Sequence, residues 1–373
     1  MGYKMYAAGA QQWRADMVGL NPTQVQQAYD QGFAGAYFDS DAHEQRRAQS
    51  IAACGYADVE DIAHANTWAD SSAGQLVCTF LHTLEAYPGC WPGPAQQRGD
   101  CVSHGEKNSN LFTLCCDVAS GMPDQKTGLI EGLPEISQAG ILQGALSTEW
   151  YYWFRGHGGD GWSCDSSASV SVTYGNMLRQ QYSDLGIDLT TYSGSLAGKY
   201  GPGKPPENMQ AVGRLHLTHT TANCRTAEAT RDALGNGHGI NTCGGEGFSS
   251  TRNEHGVSSR QGSWSHSMAF IAFDDRPWAH QTYGGPLVLV LNSWAKFNVG
   301  PRDIHDSAKL VPAEKRELWS RIGITNLSTG NIMIPEGAFW ARWKDVSSRQ
   351  IIARSGIVGW KPKKCNPLLK VFG

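Results

Sequence analysis

Two apolar runs dominate the C-terminal part of the chain. "MAFIAF" (268–273) and "LVLVL" (287–291) are hydrophobic at every position, as strands covered on both faces are. "FWARWKDV" alternates instead, with Phe339, Ala341 and Trp343 on one side and Arg342 and Lys344 on the other, which predicts a half-exposed strand. Earlier segments carry helical signals. In "NPTQVQQAYDQG", Asn21 as N-cap, Pro22 at the first helical position and Gly32 as a stop predict a helix. "DAHEQRRAQSIAACG" and "ADVEDIAHANTW" predict two more. Leu111, Leu114, Cys115 and Val118 share one face at helical spacing, so "CVSHGEKNSNLFTLCCDVAS" is expected to be an amphipathic helix. A glycine-rich loop, "RGHGGDG", precedes a helix expected around Ser166 to Tyr182. "TAEATRDALGNG" predicts a shorter helix closing on Gly235 or Gly237, and "VPAEKRELWSRIG" an inserted surface helix. The proline- and glycine-rich "LEAYPGCWPGPAQQRGD" reads as an extended loop. Helices first and strands later point to an α+β fold.

Composition narrows this picture little further. The chain has 373 residues, of which 40% are hydrophobic and 17% charged, so a packed core is expected rather than disorder. A net charge of −3 without a Lys/Arg block gives no reason to expect nucleic acid or a membrane as partner. The N-terminus lacks the apolar core of a secretory signal, which leads to the expectation of a cytoplasmic or particle-associated protein with mostly reduced thiols.

The candidate chemistry begins at "QQRGDCVSHG", where Cys101 follows Gly99-Asp100 at a helix start. Helix N-termini concentrate unpaired N–H groups and partial positive charge, which favour a thiolate. A thiolate needs a base, and the base needs an orienting partner. His266 stands at the lip of one apolar strand and Asn292 at the end of the next. If the two strands pair, imidazole and amide meet at one sheet edge.

The ordered set of a Gln before "GDC", "SHSMAF" on a strand and "LVLVLNSW" on the next resembles the papain-like cysteine proteases. "GHGGDGWSCDSSASVSVTYGNMLRQQYSDLGI" looks like that family's Gly-Gly cleft loop and following helix, and "EGAFWARWKDV" like its late strand. The resemblance implies a two-lobed α+β fold, with a helical lobe and an antiparallel sheet or barrel lobe. It implies a helical extension at 1–74, propeptide-like or for docking, and a main domain at 75–373 with insertions around 210–260 and 300–335. It implies Cys101 as nucleophile, His266 as base, Asn292 as its orienter and Trp294 as the cover of their bond. Gly158 and Gly159, with Trp294 and Gln97, would meet the polypeptide substrate; no cofactor or metal is called for. The family's oxyanion Gln lies six residues before its Cys, here Ala95, and Gln96 is the favoured substitute. Departures are visible. The signature C-G-[SA]-C-[WY] is not kept, His266 and Asn292 lie further downstream than the family's roughly 130–150 residues, and Ala295 replaces the usual Gly after Trp.

Other readings stand beside this one. Asp100 is expected to point to the surface, where it would not oppose the thiolate. His104, one turn along the helix, is a competing base. His219 with Cys224 and His238 with Cys243 could form a zinc site. The papain-like fold could also serve structurally, binding other proteins of a virus particle or assembly, or copies of itself.

Overall fold

The computed structural model describes residues 63–64, 72–119, 133–355 and 370–371. The expected helices at 21–32 and 41–55 lie outside the described residues. So does nearly all of the 1–74 extension. Its Ala63–His64 pairs in parallel with Thr220–Asn223, so the expected helix of "ADVEDIAHANTW" is strand at that point; tertiary pairing overrides local helical preference.

The architecture is a mixture of helices with a mainly antiparallel nine-stranded sheet. Its main strands are β1 (Leu76–Val77), β2 (Thr220–Asn223), β3 (Ile240–Phe248), β4 (Arg260–Asp274), β5 (Leu287–Leu291), β6 (Ala338–Arg342) and β7 (Gln350–Ser355). They run β2-β7-β3-β4-β1, with β5 on the other edge of β4 and β6 on β5. The two apolar runs are therefore neighbours, as a site at their shared edge requires. Ala269 pairs with Leu291 and Asp274 with Leu287. All five residues of β5 are buried.

β6 departs from its expected half-exposure. Ala338 to Ala341 are all buried, and Trp343 opens a short helix, Trp343–Val346. The outer edge of β6 is covered, because Trp340 bonds through its backbone to Gly256 and Ser258. Arg342 turns to Asp345 at 2.6 Å.

Three helices matter for the site: α1 (Cys101–Ala119), α2 (Cys164–Thr173) and α3 (Ala227–Gly235). α3 starts at the Thr226 cap and ends at Gly235, as its pattern predicts. α2 ends well short of Tyr182. The backbone beyond it is recruited by residues 145–147, through Ser147 to Met177 and Arg179 to Ala145.

α1 is not amphipathic. Every residue from Cys101 to Asp117 is buried. A helix buried all round is ordinarily apolar, so its polar residues must find partners inside. Glu106 accepts from Arg354 of β7 at 3.0 Å, Ser167 of α2 at 2.7 Å and Asn241 of β3 at 3.2 Å. Asn108 accepts from the Trp91 indole at 3.1 Å. Close seating depends on Gly105. A Cβ there would lie 2.2 Å from Asn241 Oδ1 and 2.6 Å from Ser267 Oγ.

Most described cysteines carry no disulfide, in line with the expectation of mostly reduced thiols, and one pair does. Cys164 at the start of α2 and Cys243 in β3 form a disulfide across 79 residues of chain. That bond removes Cys243 from the imagined zinc site. Among the described residues, no cluster of three or more His, Cys, Asp or Glu could hold a metal. Among them, too, no helix is long and apolar enough to cross a membrane.

The Glu106–Arg354 pair is fully buried. Breaking such a pair strands one charge at a cost of about 3–5 kcal/mol. Arg354→Met is expected to lower the unfolding free energy by that order in urea titrations monitored by circular dichroism. A loss below about 1 kcal/mol would mean the pair behaves as an exposed one.

Candidate active site

Cys101 is the first residue of α1. The chain arrives through a tight turn in which Asp100 N donates to Arg98 O at 2.8 Å. The Gly158-Gly159 loop docks beside this turn, with Gly161 N donating to Gly99 O at 2.9 Å. Gly158 and Gly159 themselves are exposed, and a Cβ at either would meet nothing within 4 Å. The loop is anchored from below by Asp160, which accepts from Arg98 at 2.9 Å and from Tyr152 at 2.7 Å.

His266 lies within β4, paired in register with Gly244 of β3. β5 stops pairing at Leu291, opposite Ala269, so the next residue reaches past the end of the ladder. His266 Nε2 lies 2.9 Å from Asn292 Oδ1, which leaves Nδ1 on the other side of the ring. The Trp294 ring lies 4.3 Å from the imidazole, centroid to centroid, and itself packs on Trp264 at 4.7 Å. Trp294 is buried, so it covers the His266–Asn292 bond and offers little surface to a ligand.

The two candidate glutamines diverge. Gln96 is buried and joins the same cluster. Its backbone N donates to Ser293 O at 2.9 Å, while its Oε1 accepts from Ser293 Oγ and, at 3.1 Å, from Trp294 Nε1. Its Nε2 donates to Arg98 O at 3.0 Å, which occupies one of the two amide hydrogens. Gln97 is turned elsewhere, its Oε1 accepting from Gly194 N at 2.9 Å; it is not brought to the site. Ser293, which had no role in the sequence pattern, fixes the orientation of Gln96. Its position between Asn292 and Trp294 was the available signal.

Ala295 adopts φ of 47°. This left-handed backbone disfavours side chains bearing Cβ, which is why glycine suits that position.

Electrostatics change the picture at two residues. Asp100 is not on the surface. It is buried, accepts from Tyr192 OH at 2.6 Å and faces His104 at 3.7 Å. Burial pushes its carboxyl up to about 7, against the Tyr192 bond and the Arg98 charge, while Asp160 and Glu149 add to the rise. Near neutrality Asp100 is therefore about half protonated, which weakens its repulsion of a neighbouring thiolate. His104 is buried and its imidazole is pushed well down, chiefly by burial. It faces Asp100 and stacks edge-on to Tyr192 at 5.0 Å.

Burial pushes His266 down to about 3, partly offset by the Asn292 bond and reinforced by Arg349. Cys101, His266 and Asn292 are each 0% exposed. In this structure burial keeps the imidazole neutral, because low-dielectric surroundings disfavour separated charge.

No protein-family model matches the chain, and no curated protein matches it by sequence. Among solved structures, Xylellain, a cysteine protease from Xylella fastidiosa, is similar at 12% identity. That alignment covers 87% of this chain and 96% of the other, with a TM-score of 0.45. The clostridial cysteine protease Cwp84, after propeptide cleavage, is similar at 13% identity over 70% of this chain and 53% of its own, with a TM-score of 0.36. Both scores are low, and the roles assigned below rest on the geometry of the site itself.

The raised Asp100 carboxyl has a pH signature. An unfolded Asp loses its proton near pH 3.9, whereas the folded one keeps it to about 7. Its contribution to stability is full below about pH 4 and is lost as pH rises through about 7. Asp100→Asn, which keeps an acceptor for Tyr192, is expected to remove this decline. Urea midpoints of both proteins across that window check it; equal slopes would contradict it.

Proposed function

We propose that the chain is a papain-like thiol peptidase of two-lobed build, in which Cys101 attacks, His266 moves the proton, Asn292 orients the imidazole and Gln96 helps bind the oxyanion. The observation that carries the reading is the 2.9 Å bond from His266 Nε2 to Asn292 Oδ1 beneath Trp294. That bond fixes the ring with Nδ1 on the side away from Asn292. The same Ser293–Trp294 corner holds Gln96 by its oxygen, and one amide hydrogen donates to Arg98 O, so the second amide hydrogen is what it can present. The helix α1 supplies the other donor, the backbone N–H of Cys101.

The chemistry follows from these placements. Opening of the closed site admits substrate and water and relieves the burial that keeps the imidazole neutral. The Cys101 proton passes to His266 Nδ1 as sulfur bonds to the amide carbon. The carbonyl oxygen becomes an oxyanion between the Cys101 N–H and Gln96 Nε2. His266 then gives its proton to the leaving amine as the C–N bond breaks, forming a thioester. Water, deprotonated by His266, attacks the thioester, and the thiol leaves with the proton. The exposed Gly158-Gly159 segment leaves open space for an extended polypeptide, because no side chain obstructs its approach.

The test is hydrolysis of a fluorogenic peptide mixture by the full chain. Cys101→Ala is expected to abolish turnover. Gln96→Ala is expected to lower kcat by about 10²–10³ with little change in KM, since one oxyanion donor acts mainly in the transition state. Undiminished turnover in Cys101→Ala would overturn the reading. A folded chain without any Cys101-dependent turnover would favour a structural role in an assembly instead.

A further inference from the structure

One buried cation stands next to the site and takes no part in the mechanism above. Arg349 enters from the turn between the Trp343–Val346 helix and β7, and its side chain is 0% exposed. Its Nη2 donates to the backbone carbonyl of His266 at 2.6 Å. Nη1 donates to the Glu246 carboxylate at 3.1 Å, and Nε to Thr242 Oγ1 at 3.2 Å. Glu246 is in turn held by Ser348 Oγ at 2.5 Å.

The sheet makes room for this guanidinium. Gly244 is the β3 residue in register with His266. A Cβ at Gly244 would lie 2.4 Å from Arg349 Cγ and 2.6 Å from its Cζ. The register then shifts between Gly244 and Glu246, an irregularity that redirects side chains and here coincides with the Glu246 carboxylate meeting the guanidinium. A glycine, a bulge, a carboxylate and a hydroxyl thus surround one arginine directly behind the backbone of the candidate base.

Resting on the thiol-peptidase reading, we infer that Arg349 is a positioning residue of the same site. It clamps the His266 backbone through its carbonyl and holds a buried positive charge directly behind the candidate base.

The electrostatics agree with the geometry. Burial pulls Arg349 down to about 10, and Glu246 and then Cys101 oppose that loss of charge. The Cys101–Arg349 interaction is mutual, so the cation that the thiolate supports also supports the thiolate. The same charge disfavours an imidazolium at His266. The other groups facing this centre are Asn292, His104, Asp100 and Glu246. His104 is held neutral by burial, and Asp100 is about half protonated near neutrality. Glu246 is bonded to Arg349 at 3.1 Å and tempers its charge.

Removing a cation raises the proton affinity of every group near it. In Arg349→Met both the Cys101 and the His266 midpoints should therefore rise together, whereas a purely structural residue has no reason to move both in one direction. The readout is the ultraviolet absorbance of the thiolate, titrated in the full chain with Cys101→Ala as blank, alongside the pH profile of kcat/KM. Because Arg349→Met strands Glu246, the measurement is made also in Arg349→Met/Glu246→Gln and in Arg349→Lys. The thiolate midpoint is expected to rise by about one pH unit in the double variant, a roughly tenfold fall in thiolate below the midpoint. The pH profile should move the same way, and Arg349→Lys should recover most of the shift. An unmoved midpoint in the folded double variant, or a shift in Arg349→Lys as large as in the double variant, would overturn the inference. Failure of the thiol-peptidase reading shows separately, as turnover that does not depend on Cys101.

Discussion

The seating of α1 on β3 is the constraint on which the site depends. Gly105 lets the helix approach until Asn241 and Ser267 fill the space a side chain would take. Glu106 then closes the contact by gathering Arg354, Ser167 and Asn241. Residues 241–244 of β3 pair with residues 266–269 of β4. The strand that receives the helix is therefore the strand that carries the register of His266. The helix start and the imidazole are held by one rigid piece of structure, as a reaction requiring sub-ångström placement demands. The Cys164–Cys243 disulfide ties α2 to the same strand, one residue before Gly244.

The polarity of this interior is a consequence. α1 carries Asp100 at its entrance, then His104 and Lys107 along one side, all buried. Burial lowers Lys107 to about 7 and raises Asp100 to about 7, so both charges are softened near the candidate nucleophile. Glu149 and Arg179 form a further buried pair at 2.9 Å. Interior ion pairs contribute little net stability over well-packed apolar groups. The Glu106–Arg354 pair ties α1 to β7, so that rotation or sliding of α1 would strand a buried charge.

Much of the site was legible in the sequence because it follows from local rules. "LVLVL" ending in Asn292 could be read as a buried strand delivering an amide, and the β4–β5 pairing needed only adjacency along the chain. What escaped depended on distant partners. Periodicity placed the α1 helix but assigned it an exposed face, because Glu106 is satisfied by an arginine 248 residues away. β6 looked half-exposed since the residues covering its edge, Gly256 and Ser258, belong to a remote turn. Asp100 reads as a surface residue until Tyr192 is known to lie against it. Arg349 left one local trace, the glycine opposite His266, whose meaning emerges only with the register.

The central claim is that one thiol among several buried ones is poised for attack. It is tested most directly by incubating the full chain with a peptide bearing a thiol-reactive carbonyl-mimicking group and mapping adducts by mass spectrometry, in parallel with His266→Ala and Asn292→Ala. The account predicts a single adduct on Cys101, formed more slowly in both variants. Adducts spread evenly over Cys78, Cys90 and Cys224, or a Cys101 rate indifferent to His266, would contradict it.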